Sequence, residues 1–237
     1  LDLTDAAARR SIEARHGLFI VEGPLALQRL LDGDHRVRSV VLSTSKAASL
    51  PDPLLRSLAD LDAPVYVADR AVLESVAGFD VHRGVLASAE RPAPRPLDEL
   101  IEGAASVVLA EGVNDNENIG SLFRNAAALG VDAVLLDPAC ADPLYRRSIR
   151  VSSGWSLDLP WTRVDDSTAC IDALRAAGWA TLALTPAPGA VDLDAALTPE
   201  VISGAVAWVV GAEGPGLRAA TIDACDLAVR IPMRDGV

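Results

Sequence analysis

Short apolar runs that end in a glycine or a polar residue recur through the second half of this chain, and they restrict the folds open to it. SVVLAE (106–111), AVLLD (133–137), WATLALT (179–185) and AVAWVVG (205–211) are nearly continuous in apolar side chains, and helical spacing follows most of them. A strand that is apolar on both sides must be covered on both sides, which requires a parallel sheet with helices on each face. The first half repeats the alternation on a smaller scale. LFIVEG (18–23), VRSVVLS (37–43), VYVA (65–68) and HRGVLASA (82–89) read as strands. Helical stretches fall near 24–31, 53–61 and 69–77, with another over 3–15 that carries Arg9, Arg10 and Arg15. That pattern predicts a small α/β/α sandwich over residues 1–90. ERPAPRP (90–96) has three prolines in seven residues and can continue neither a helix nor a central strand. Residues 91–104 are therefore the linker and the start of a second α/β domain, which occupies 105–237.

Composition removes several classes of function. The three cysteines, Cys140, Cys170 and Cys225, have no CxxC spacing and no histidines beside them, so they read as reduced thiols and no metal site is expected. No run of about 18 apolar residues occurs, so a membrane helix is not expected, and without a charged-then-apolar leader the chain reads as cytoplasmic. The net charge of −12 opposes non-specific nucleic-acid binding, which rests on neutralising phosphates. A local patch remains open: Arg146, Arg147 and Arg150 lie within five positions, either as a phosphate grip or as an ordinary charged helix face. The glycines of GAEGPGL are in the wrong order for a dinucleotide fingerprint, and no GK[ST] phosphate loop or G-x-S-x-G elbow is present. The first residue is a leucine and the last is Val237, so the gene product is expected to be longer at both ends.

Three loops at the carboxyl ends of expected parallel strands remain as candidate site elements: 112–118, 185–189 and 211–216. Open α/β sheets bind ligands at that edge. In EGVNDNENIGSLFRNAAAL (111–129), Asn118 is the expected N-cap of a helix. Ile119, Leu122, Phe123 and Ala126 fall on its apolar side, and Arg124 projects from the polar one. Glu213 sits between Gly211 and Gly214 and can either favour a helix's first turn or hold an arginine in a bidentate pair.

These residues carry a resemblance. NIGSLFRNAAALG (118–130) resembles the first motif of the SpoU (TrmH) group of RNA ribose 2′-O-methyltransferases in the SPOUT superfamily. VVGAEGPGL (209–217) resembles the second, VRIPM (229–233) the start of the third, and RRSIRVSSG (146–154) the segment between. GLFIVEG and VHRGVLA resemble the ribosomal-protein-like substrate-binding domain often fused ahead of them. The resemblance implies a parallel α/β sheet closed by a deep trefoil knot, an exception to the rule against threaded chains. It implies S-adenosylmethionine as cofactor, held by Thr185, Gly211, Ile231 and Met233. It also implies a homodimer acting on RNA, with Asn118, Arg124 and Glu213 catalytic and Arg124 reaching a site shared with the partner chain. In this reading Glu213 orients Arg124. Arg146, Arg147 and Arg150 are assigned to RNA, and ribosomal RNA is favoured over transfer RNA because a separate RNA-reading domain is present.

The sequence departs from the family pattern in three places. Asn116 replaces a proline in DNEN, Ser153 and Trp155 stand where a larger apolar and a smaller residue are usual, and the Ser-Leu-Asn run of the third motif is expected beyond Val237. Two other readings stay open at this point: an RNA-binding protein of the same fold without activity, and a small-molecule enzyme sharing only the architecture.

Overall fold

The computed structural model describes residues 13, 15–78, 81, 83–199, 201 and 204–233; nearly all of the helix expected over 3–15 lies outside the described residues, as does His82. Packing divides the chain into two compact units that do not follow a single cut. One takes the residues up to Ala93 together with Gly120–Arg124 and Asp142–Asp158. The other takes Pro94–Ile119, Asn125–Ala141 and the chain from Leu159 onward.

The first unit is built on β1 (Leu18–Glu22), β2 (Val37–Ser43), β3 (Val65–Ala68) and β4 (Val85–Glu90), in the order β1-β4-β2-β3. β4 runs antiparallel to β1 and β2, while β2 and β3 are parallel. Pro24 opens the helix Pro24–Asp32 in its first turn, where a missing N–H costs nothing. Ala26, Leu27 and Leu30 of that helix are buried.

Asp142–Asp158 belongs to this unit because several side chains tie it there. The Arg29 guanidinium lies 3.5 Å from the centroid of the Trp155 ring, and its Nε donates to the Ser153 carbonyl at 3.1 Å. The Leu157 carbonyl hydrogen-bonds His35 Nε2 at 2.8 Å, and Arg91 grips the Asp142 carboxylate with two nitrogens. This accounts for both unusual residues of the segment. Trp155 supplies a π face for a cation, and Ser153 adopts φ 56° with its carbonyl turned to Arg29. Gly154 is required because a Cβ there would sit 2.7 Å from Arg29 Cδ.

The second unit holds seven parallel strands in the order β7-β6-β5-β10-β8-β11-β9. These are β5 (Ser106–Glu111), β6 (Ala133–Leu136), β7 (Trp161–Arg163), β8 (Ala180–Leu184), β9 (Val191–Asp192), β10 (Val206–Gly211) and β11 (Leu227–Arg230). All four residues of β6 and five of the six in β5 are buried, as expected of strands covered on both faces. Val107, Leu109, Ala133, Leu135, Ala207 and Val209 form one core with Ile171 and Leu174 of the helix Ser167–Ala176. Leu182, Val206 and Val229 form another with Ala196.

Asp226 joins β8 to the start of β11. Its carboxylate accepts from the Thr181 amide at 2.9 Å, Thr181 Oγ1 at 2.8 Å and Arg175 Nε at 2.8 Å. Burial alone would raise its pKa, but the bonds from Thr181 and Arg175 outweigh it and hold the carboxyl below its ordinary value. A depressed carboxylate contributes stability that is complete above its unfolded pKa of about 3.9 and is lost as pH falls through the folded value. Asp226→Asn should therefore lower the urea midpoint near neutrality, with the gap from wild type narrowing below about pH 4. An equal gap at pH 3 and pH 7 would contradict this linkage.

Candidate functional site

β5 and β10 are neighbours, and the chain leaves them in opposite directions. From β5 it passes to β6 on one side; from β10 it passes to β11 on the other. Diverging connections leave a crevice at the carboxyl ends of such strands, the usual ligand site of an open α/β sheet. Glu111 and Gly211, the last residues of the two strands, stand opposite each other in the register.

The loop after β5 turns at Gly112 (φ 68°) and enters the helix Asn116–Ala128. Its N-cap is Asp115, not Asn118: the Asp115 carboxylate accepts from the Glu117 amide at 2.8 Å and the Asn118 amide at 3.0 Å. The helix starts one turn earlier than the sequence suggested because an aspartate three residues upstream caps the amides of Glu117 and Asn118. Capping by Asp115 releases the Asn118 side chain, whose Nδ2 donates to Glu213 Oε2 at 3.0 Å.

Glu213 lies in a tight turn closed by a bridge between Ala212 and Gly216, with the Gly216 amide donating to the Ala212 carbonyl at 2.9 Å. Gly214 and Gly216 adopt positive φ there. Gly211 has no room for a side chain: a Cβ would fall 2.3 Å from the Gly216 carbonyl carbon and 2.4 Å from the Leu217 amide.

Beneath these loops lies a cluster that the sequence reading did not find. Glu111 is buried, with 3% of its surface exposed. It accepts from the Arg218 backbone amide at 3.0 Å, from Arg218 Nε, and from Thr221 Oγ1 at 2.8 Å. The hydrogen bond and charge of Glu111 hold the Arg218 guanidinium above its ordinary pKa. The available signal was a carboxylate ending an otherwise apolar buried strand, because a charge in that position needs a partner.

Of the residues expected to hold a cofactor, Thr185 follows β8, Gly211 ends β10, and Ile231 and Met233 follow β11. The three strands are adjacent and parallel, so all four residues lie at one edge of the sheet. Thr185 donates its amide to the Val229 carbonyl at 2.9 Å, and its Oγ1 accepts from the Ala187 amide at 3.2 Å. Ile231 and Met233 are 59% and 61% exposed.

Arg124 is exposed and makes no hydrogen bond or ion pair among the described residues. Within this chain, the carboxylate of Glu213 accepts from Asn118. Two arginines of the 146–150 cluster are engaged within the fold. Arg146 and Arg150 each place a guanidinium nitrogen 3.8 Å from Glu22 Oε2, a carboxylate with 3% of its surface exposed, so both compensate a buried charge. Arg147 is exposed on the same short helix, Arg146–Val151. Burial pushes the Cys140 and Cys170 thiols up to about 12 and the Cys225 thiol up to about 11, so none supplies a thiolate near neutrality. No cluster of histidine, cysteine and carboxylate residues able to hold a metal ion occurs among the described residues. No helix among them is long and apolar enough to cross a membrane.

Comparison with known proteins agrees with this geometry. The SpoU rRNA Methylase family model matches residues 105–237, and a model described as RNA 2′-O ribose methyltransferase substrate binding matches residues 20–95. The chain is 41% identical over 235 residues to an uncharacterised tRNA/rRNA methyltransferase of Mycobacterium bovis, covering 99% of this chain and 80% of that protein. It is 31% identical over 192 residues to the 23S rRNA (guanosine-2′-O-)-methyltransferase RlmB of Photobacterium profundum, covering 78% of this chain and 76% of that one. The fold matches the crystal structure of the SpoU methyltransferase AviRb from Streptomyces viridochromogenes in complex with AdoMet, with a TM-score of 0.79, 23% identity, and coverage of 99% and 87% of the two chains. A parallel sheet with its loops joined at the β5/β10 switch point, matched along its length by these proteins, places this chain in the SpoU rRNA methylase family, with a substrate-binding domain ahead of the methylase domain.

Proposed function

We propose that this protein methylates a ribose 2′-OH of ribosomal RNA, with S-adenosylmethionine as donor. The observation that carries the reading is the Asn118–Glu213 hydrogen bond, which joins the first and second family motifs at the carboxyl edge of the sheet. Relatives named as 23S rRNA methyltransferases favour ribosomal over transfer RNA, and the matching substrate-binding model speaks against a small-molecule enzyme. An RNA-binding protein without activity finds no support, since the relatives are named for methyl transfer. A ribosomal RNA substrate makes the cytoplasm the proposed place of action.

The residues at the sheet edge fit the donor. Ile231 and Met233 offer exposed apolar side chains suited to an adenine face, Gly211 offers backbone without a side chain, and Thr185 follows β8 at the same edge. When bound, S-adenosylmethionine supplies a methyl group on a positively charged sulfur. The chain's part is to align the sugar hydroxyl and to stabilise the charge that develops on its oxygen.

Arg124 is the group assigned to that charge. A guanidinium has no lone pair free to take a proton, so Arg124 acts as an electrostatic stabiliser and RNA phosphate ligand, and the hydroxyl proton passes to solvent. Asn118 shapes the loop, and Glu213 fixes Asn118. The exposed, uncommitted guanidinium of Arg124 suits a role across a homodimer, with each chain completing the other's site. Threading of the C-terminal segment into a trefoil knot belongs to the same proposal.

Transfer of labelled methyl to a 23S rRNA transcript, followed by mapping of 2′-O-methyl positions, tests the activity directly; no ribose label would overturn it. Arg124→Ala should slow single-turnover transfer at least ~100-fold, the usual effect of removing one charge-stabilising donor, and leave cofactor affinity by calorimetry unchanged. Lost cofactor binding in that variant would contradict the division of roles. Gly211→Ala should do the reverse. Its added Cβ meets backbone atoms at 2.3–2.4 Å, so the turn must shift and cofactor affinity should fall by about tenfold or more. Unchanged affinity would remove Gly211 from the site.

A further inference from the structure

Within the N-terminal unit is a cleft of about 340 Å³ whose lining among the described residues includes Ser43, Ser45, Lys46, Arg70, Arg83 and Gly84 and no acidic side chain. We infer that this cleft holds a backbone phosphate of the RNA substrate. The inference rests on the RNA reading above and assigns the grip to residues other than the Arg146/Arg147/Arg150 cluster.

The charge balance is the first reason. The chain carries a net −12, yet three cations from distant parts of it meet here, among them Lys46, its single lysine. Arg70 is paired with Glu74 at 2.6 Å. Lys46 and Arg83 make no side-chain hydrogen bond or ion pair among the described residues. The sequence cluster shows the opposite balance, with Arg146 and Arg150 spent on the buried Glu22.

The second reason is that the backbone is shaped to bring these groups together. Gly84 adopts φ 62°, and a Cβ there would fall 2.3 Å from Ser43 Oγ and 3.3 Å from Lys46 Cβ. Gly23 adopts φ 95°, and a Cβ there would fall 2.8 Å from Arg83 Cδ. Two left-handed glycines therefore permit the close approach of the serine, the lysine and Arg83. The Ser43 amide donates to the Gly84 carbonyl at 2.8 Å, which fixes β2 against the turn before β4. Ser43 Oγ accepts from the Lys46 amide at 3.2 Å and contacts Ser45 Oγ at 3.3 Å, so the hydroxyls are held on a short turn beside the cations. Hydroxyls and cations on one wall, with no carboxylate among the described lining residues, suit a phosphodiester oxygen.

The test is the salt dependence of binding of the full chain to a 23S rRNA transcript. A Lys46→Gln/Arg83→Gln double variant should bind roughly tenfold more weakly at moderate salt. Its plot of log K against log[salt] should be shallower by about 1 to 2, the value for one or two lost phosphate contacts. S-adenosylmethionine affinity should be unchanged, which reports that the variant is folded. Arg56→Gln, which removes an exposed cation that does not line the cleft, should leave the slope as in wild type. An unchanged slope in the double variant, with RNA bound by wild type, overturns the cleft assignment alone. Wild-type protein that binds no RNA even at low salt overturns the RNA reading and this inference with it. Tight binding of inorganic phosphate by wild type, lost in the double variant while the RNA slope stays fixed, assigns the cleft to a free anion and also overturns the RNA contact.

Discussion

A carboxylate buried at the end of a sheet strand is the constraint on which the site depends. Glu111 closes β5 with almost no exposed surface, and it is tolerable there because Arg218 and Thr221 bring it an ammonium-like charge and two further donors. A buried charge left alone costs on the order of 3–5 kcal/mol. The segment after β10 is therefore held where it can satisfy Glu111. That holds the Gly211–Gly216 turn at the end of β5 and lets Glu213 meet Asn118. The second motif is placed beside the first by this neutralisation, and the Asn118–Glu213 bond is its visible result.

The same rule organises the N-terminal unit and decides which arginines are engaged within the fold. Glu22 ends β1 as Glu111 ends β5, and it draws Arg146 and Arg150 toward it. Asp142 does the same with Arg91, and Trp155 with Arg29. Cations close together in sequence are thus committed to holding Asp142–Asp158 in place, while Lys46 and Arg83, which no spacing connects, remain uncommitted at a cleft. Charge counted along a chain and charge available at a surface are different quantities.

What could be read from the sequence follows from range. β2 and β3 fall on the expected residues, and β5, β6, β8 and β10 fall within a residue or so, because strand periodicity and apolar runs are local properties. The positions of Thr185 and Gly211 at the ends of apolar runs follow from the same reading, while Ile231 is placed by the family resemblance. Other features depended on competition or distance. Asp115 outcompetes Asn118 for the cap, and the short helix Thr44–Ala47 and the two-residue β9 lack enough residues to show a period. Asp142–Asp158 groups with a unit whose other residues lie about a hundred positions away, through a cation–π contact and ion pairs that leave no local trace. Glu111, Arg218 and Thr221 were hidden for the same reason, since their partnership spans 107 to 110 residues.

If the Glu111 cluster sets the site, removing its carboxylate should open the junction without unfolding the sheet. Titration of S-adenosylmethionine into Glu111→Ala, with circular dichroism to report the secondary structure, measures this most directly. The expected result is native-like dichroism with cofactor affinity weakened by about tenfold or more, equivalent to about 1.4 kcal/mol. A variant that keeps wild-type affinity would show that the loops find each other without Glu111, and would contradict the account.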